Sequence, residues 1–173
     1  MPREHRASIF STMVKMNILP AHTPDQIEIV RSLFVEYQRW LNVSLCFQGF
    51  DSELAELPGK YAPPKGRLYL AEEQGIIAGC IALRPMDEEG ICEMKRLYVK
   101  EEFRGKGIGR QLAGKIISDA REIGYTVMRL DTLQRMESAR KLYTALGFTI
   151  IPPYYHNPME EVVYMELSMT ESQ

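Results

Sequence analysis

The sequence predicts a single α/β domain of the mixed, α+β kind, a sandwich of helices packed on a mixed sheet. Three observations carry this. Between residues 68 and 99 three strand-like segments follow one another across short turns, the pattern of an antiparallel meander. Beyond residue 107 helical and strand periodicity alternate before a last strand. The strict strand–helix alternation that a doubly wound sheet requires does not run through the chain. At 173 residues the chain holds one domain with a proper core and is too short for two ordinary ones.

Residues 1–12 are polar and aperiodic and read as a disordered tail, leaving 13–170 as the domain, with Met13 and Met16 as alternative starts. A short strand is expected from Val14 to Leu19. Thr23-Pro24-Asp25-Gln26 announces a helix: Thr23 caps, Pro24 takes the first helical position and Gln26 completes a capping box. Ile27, Val30, Phe34, Tyr37 and Leu41 continue it at helical spacing, and Tyr37 and Trp40 read as core. The stretch CFQGFDSELAELPGKYAPPKG holds a short helix at Asp51–Leu57 and a Pro/Gly-rich loop of a length that is often functional.

LYLAEE and IIAGCIALRP, joined by Gln74-Gly75, form a hairpin, and MDEEG turns the chain into ICEMKRLYV. Ile108, Leu112, Ile116, Ala120 and Ile123 mark an amphipathic helix ended by Gly124. YTVMRLDTL is a strand and MESARKLYTAL a helix stopped by Gly147. The strands FTII and EVVYMELSM follow, separated by a loop rich in Pro and Tyr.

Composition is that of a globular protein, 45% apolar and 25% charged with a net charge of −2, so neither nucleic acid nor membrane is expected as a partner. No apolar run approaches the roughly 20 residues of a membrane span, and the N-terminus lacks a secretory apolar core; a cytoplasmic location is expected. Cys46, Cys80 and Cys92 show no metal-ligand spacing and read as reduced thiols. His5, His22 and His156 are scattered, so no metal is expected.

The chemically pointed stretch is FRGKGIGRQL, residues 103–112, where Gly105, Gly107 and Gly109 alternate with Arg104, Lys106 and Arg110 before a helix. Unpaired amides, a helix N-terminus and basic side chains suit an anion. A dinucleotide fingerprint fails on spacing, because its third glycine falls on Leu112 or Ile108. A Walker loop fails because its GK position falls on Arg110. What remains is Arg-x-x-Gly-x-Gly at Arg104, Gly107 and Gly109.

With Leu97-x-Val99 before that motif and AxxLYxxxGF at Ala139–Phe148 after it, the sequence resembles the GNAT superfamily of acetyl-CoA-dependent N-acetyltransferases over roughly residues 14–168. The resemblance implies a three-layer α/β/α sandwich with a mostly antiparallel sheet. It implies acetyl-CoA as acyl donor, and a small-molecule or peptide amine as acceptor, attacked directly in a ternary complex. A homodimer is common in such proteins, but no interface is marked in the sequence. The second reading is an acyl-CoA-binding sensor or regulatory module with little catalysis.

By that resemblance, the amides of Arg104, Gly105, Lys106, Gly107, Ile108, Gly109 and Arg110 hold the pyrophosphate, unless the segment is only a tight turn with solvated basic groups. Main-chain groups of Leu97, Tyr98 and Val99 bond the pantetheine arm where the fourth and fifth strands splay. An amide near Leu97 faces the thioester carbonyl. Charged residues interrupt ICEMKRLYV, which, without a bulge, puts Glu93, Lys95, Leu97 and Val99 on one face. Glu93 is either the general base, or a partner of Lys95 or Arg96, or the group that holds the acceptor's ammonium. Tyr143 is either the acid that protonates the departing thiolate or a core tyrosine. Tyr154, Tyr155, His156 and Asn157 either line the acceptor site or form a rigid turn. Met136 stands where many relatives carry Asn, so CoA contact at that helix start must differ, with Ser138 and Arg140 as substitutes.

Overall fold

The computed structural model describes residues 16–170. The expected tail at 1–12 and the first residues of the strand expected from Val14 lie outside them. Strand β1 spans Met16–Pro20, then come helix α1 at Pro24–Leu41, helix α2 at Phe50–Glu56, and strands β2 at Arg67–Glu73, β3 at Ile76–Pro85 and β4 at Ile91–Val99. Helix α3, Ile108–Ile123, leads to β5, Val127–Leu133; α4, Glu137–Ala145, leads to β6, Thr149–Ile151, and β7, Val162–Ser168, closes the order.

Local chemistry explains the ends. Gln26 N–H donates to Thr23 Oγ1 at 3.3 Å and Thr23 N–H to Gln26 Oε1 at 3.1 Å, so the capping box closes α1. Gln74 and Gly75 both take positive φ, 51° and 79°, the pairing a two-residue hairpin turn requires.

The strands form one sheet in the order β1-β2-β3-β4-β5-β7-β6, antiparallel except where β4 and β5 run parallel. Helices cover both faces, giving the expected three-layer sandwich. Ile27, Val30 and Phe34 of α1 pack with Phe50 and Tyr61 on Leu68, Leu70, Cys80 and Ala82; on the other face Leu112, Ile116 and Ala120 of α3 pack on Ile81, Leu83, Met94 and Met128. The short Gly79 lets β4 approach, since a Cβ there would lie 2.3 Å from Tyr98 O.

Two irregularities in β4 position the site. First, its pairing with β5 stops after Glu93↔Arg129, so the strands diverge and leave a wedge between Met94–Val99 and Leu130–Leu133. Second, Cys80 pairs with Tyr98 but Ala82 with Lys95, which leaves Ile81 against both Arg96 and Leu97, a bulge with Arg96 at φ 58°. The bulge corrects the face assignment made from simple alternation. Leu97 and Val99 join the cluster under α3, whereas Tyr98 joins the one under α1. Lys95 and Arg96 are tied to polar groups of α2 and the segment before it, and Glu93 to Arg84 of β3 and Tyr154 of the loop between β6 and β7.

Candidate active site

The wedge opens into a cavity of about 830 Å³, walled on one side by β4 from Met94 to Val99 and on the other by Leu130 to Leu133 of β5. Beyond Glu93 the edge of β4 that faces β5 has no strand partner. Main-chain donors and acceptors there are available to an extended ligand, as an unpaired sheet edge always offers.

The glycine-rich loop closes one end. Gly105 and Gly107 adopt φ 78° and 79°, and Gly107 is the N-cap of α3. Arg104 N–H donates to Glu101 O at 3.2 Å and Gln111 N–H to Gly107 O at 3.1 Å; among the described residues the amides between them, Gly105 to Arg110, donate to no backbone carbonyl. That is a row of free N–H groups at the positive end of a helix dipole. The basic side chains divide their work. Arg104 donates from Nε to Val99 O at 2.9 Å and lies 4.4 Å over the Trp40 ring, while Lys106 turns away to Glu73 at 2.9 Å and does not border the cavity. Arg110 borders it. Trp40, read from sequence as core, is 44% exposed and stands at the cavity wall.

Gly107 has open space where a Cβ would go, so alanine there meets no clash but must hold a left-handed φ. Gly107→Ala is expected to cost about 1–2 kcal/mol of stability by that conformational penalty, and to weaken CoA binding as the loop relaxes. A calorimetric titration with CoA and a thermal melt check both; unchanged CoA affinity removes the loop from the binding site.

Tyr143 reaches the cavity from α4, edge-on to Phe148 at 5.8 Å between ring centres. It is also buried, so both sequence readings describe its position. Burial pushes its phenol well above the ordinary tyrosine value. The group therefore stays a hydrogen-bond donor at every working pH. At the start of α4, Met136 lines the cavity with Ser138, whereas Arg140 does not border it.

Behind the wedge lies a buried ionic network. Glu93 accepts from Arg84 Nε at 2.8 Å and pairs with its Nη2 at 2.7 Å, while its other oxygen accepts from the Tyr154 hydroxyl at 2.6 Å. Arg84 was not among its expected partners, and Glu93 itself does not border the cavity. Arg96 is held by Glu53 of α2 at 2.9 Å and by Gln48 at 3.0 Å. Lys95 borders the cavity, where its Nζ donates to Gln48 Oε1 at 3.2 Å.

The expected acceptor residues separate. Asn157 lines the cavity and donates to the Tyr155 hydroxyl at 3.0 Å. Tyr154 and Tyr155 stand one layer behind, their hydroxyls donating to Glu93 and, at 2.7 Å, to Asp131; His156 is exposed. Burial and the facing carboxylates push both phenols far up, so they remain donors to these anions. Sequence reasoning missed Asp131, Gln48 and Arg135, which line the cavity. Asp131 interrupts the apolar strand VMRLDTL just as Glu93 interrupts β4, a signal applied to only one of the two strands. Gln48 and Arg135 carry no such signal, because their loops have no periodicity to break.

Among the described residues no cluster of His, Cys, Asp and Glu could hold a metal ion, and no helix is long and apolar enough to cross a membrane.

A model of the acetyltransferase (GNAT) family matches residues 30–148. The chain is 41% identical over 157 residues to an uncharacterized N-acetyltransferase of Schizosaccharomyces pombe, covering 90% of this chain and 96% of that one. It is 33% identical over 98 residues to human N-acetylaspartate synthetase, covering 56% of this chain and 32% of the relative. In fold it is similar to the acetyltransferase yncA of Salmonella typhimurium with its cofactor acetyl-CoA, at TM-score 0.64 and 20% identity over 92% of this chain and 96% of that one.

Proposed function

The chain belongs to the GNAT family of acetyltransferases, and from that premise we propose that it moves the acetyl group of acetyl-CoA to a primary amine by direct attack in a ternary complex. The observation that carries the reading is continuity: one cavity runs from the free amides of Gly105–Arg110 along the unpaired edge of β4 to Tyr143 and Asp131. The residues fit the donor. The loop amides and Arg110 suit a pyrophosphate, and the β4 edge suits the amides of a pantetheine arm.

When bound, acetyl-CoA supplies an activated acyl group on a sulfur leaving group. The chain does the rest. Arg104 stays fixed between Val99 O and the Trp40 ring, which braces the loop at its junction with β4. Leu97 N–H, beside the bulge, is assigned to the acyl oxygen, where negative charge develops. Tyr143 holds a proton for the sulfur. An attacking amine is almost wholly protonated at neutral pH, so a carboxylate must take its proton. Of the two nearby, Asp131 borders the cavity and Glu93 stands one phenol further in, behind Tyr154. We therefore give Asp131 first contact with the amine and leave Glu93 the position that holds Tyr154 and Arg84.

The acceptor class is a primary amine. A relative named N-acetylaspartate synthetase keeps amino acids among the candidates alongside peptide amines and polyamines. A panel of these amines incubated with acetyl-CoA, read as free thiol, tests the reading. Thiol release above the rate of hydrolysis with at least one amine is expected. CoA binding without amine-dependent thiol would make the protein an acyl-CoA-binding module instead.

A further inference from the structure

The acceptor end of the cavity contains a buried cation whose hydrogen bonds are incomplete. The Lys95 side chain is 5% exposed, yet its ammonium, with three donors to satisfy, makes one hydrogen bond among the described residues, to Gln48 Oε1 at 3.2 Å. Its nearest carboxylate oxygens, Asp131 Oδ1 at 3.7 Å and Glu93 Oε1 at 3.9 Å, are beyond hydrogen-bond distance. Both carboxylates are also committed elsewhere, Glu93 to Arg84 and Tyr154, and Asp131 through Oδ2 to Tyr155. Gln48 Oε1 is itself shared with Arg96 Nη1 at 3.0 Å. A buried charge left so thinly paired is costly unless a ligand completes it.

We propose that Lys95, which borders the cavity, is the carboxylate subsite of an amino acid acceptor, with Asp131 Oδ1 opposite it as the ammonium subsite. This rests on the acetyl-transfer reading and adds the substrate class to it. Lys95 Nζ from β4 and Asp131 Oδ1 from β5 present opposite charges 3.7 Å apart across the wedge, and both residues border the cavity. A free α-amino acid carries its own opposite charges about 2.5 Å apart, from nitrogen to carboxyl carbon at ordinary bond lengths. Laid beside this pair in the reverse sense, it gives each protein charge a partner. The same contact brings its amine to Asp131, the carboxylate that takes the proton.

Other amines fit this pair of charges worse. A diamine sets a second ammonium against Lys95, and a peptide N-terminus offers an uncharged carbonyl where the carboxylate belongs. Charge balance agrees, since Glu53, Glu93 and Asp131 are matched by Arg84, Lys95 and Arg96 in the network. An acceptor of zero net charge leaves that balance intact.

The test compares, at saturating acetyl-CoA, free amino acids with their α-amides, their decarboxylated amines and dipeptides beginning with the same residue. With the wild-type protein, kcat/KM for the best amino acid is expected to exceed that of its amide and of its dipeptide by about 10-fold or more, the discrimination a buried charged partner provides. Lys95→Met is expected to collapse that ratio to within about threefold, while acetyl-CoA affinity read by calorimetry is retained. Amides, decarboxylated amines or dipeptides used as well as amino acids by the wild-type protein would overturn the subsite while leaving acetyl transfer standing. So would a ratio that survives Lys95→Met. Thiol release with none of the amines would overturn the acetyl-transfer reading and the subsite with it.

Discussion

Replacing Tyr143 with phenylalanine is expected to lower kcat by roughly 100-fold, the lower range for loss of a positioned proton donor, with acetyl-CoA affinity changed less than about twofold. The reason lies in what the substitution removes. Phenylalanine keeps the ring in its edge-on contact with Phe148 and deletes only the hydroxyl. That hydroxyl makes no hydrogen bond to protein among the described residues, so its loss leaves no partner stranded. Fold and cofactor affinity should be spared while turnover is not. Because burial raises the phenol's pKa, the neutral donor form persists upward through the alkaline range. The rising limb of the wild-type pH–rate profile therefore reports deprotonation of the amine or its carboxylate acceptor and should stay in place in the mutant. Stopped-assay kinetics on a responsive amine check this; equal turnover in mutant and wild type would make Tyr143 a core residue.

Glu53→Ala is expected to destabilise the protein by about 3–5 kcal/mol, the usual cost of stranding one member of a buried ion pair. Glu53 grips Arg96 through two contacts, Oε2 to Nε at 2.9 Å and Oε1 to Nη2 at 3.3 Å, and also accepts from the Tyr61 hydroxyl. The Arg96 side chain is 3% exposed, so water cannot replace the carboxylate without opening the structure. Arg96 is also the residue at positive φ in the β4 bulge, so losing its anchor removes support from the backbone kink that sets Leu97 and Val99 on the α3 side of the sheet. Urea unfolding followed by circular dichroism measures the shift. Glu53→Gln, which keeps an acceptor but no charge, should recover part of it. A loss below about 1 kcal/mol for the alanine variant would mean that Arg96 finds another partner, and that exposed-pair energetics apply.

The local devices of this chain are written where they act. Thr23 and Gln26, the Gln74-Gly75 turn, Gly124 and the spacing of Ile108, Leu112 and Ile116 each follow from interactions within a few residues. The helices and hairpin therefore emerge within a residue or two of their expected limits. The glycine-rich loop belongs to the same class, because positive φ at Gly105 and Gly107 and the free amides of a helix start are local properties. Harder to read were Glu93, Lys95 and Arg96. Their presence in a covered strand signalled buried charge, but their partners come from four separate segments: Glu53 and Gln48 from the stretch around α2, Arg84 from β3, Asp131 from β5, and Tyr154 from the loop between β6 and β7.

The two segments that carried no readable motif, around 42–66 and 152–159, thus meet on one ionic network behind the cavity. Sequence by itself determined the mixed sandwich, the family and the conformation of the glycine-rich loop, because these depend on periodicity, turn chemistry and short motifs. Tertiary structure alone decided that β4 is bulged at Arg96, that Glu93 is held by Arg84 and Tyr154, and that Asp131 and Lys95 border one cavity 3.7 Å from each other. The physical reason is that a buried charge is satisfied by whichever opposite charge the fold brings within about 4 Å, and that neighbour is set by sheet register and loop docking rather than by distance along the chain.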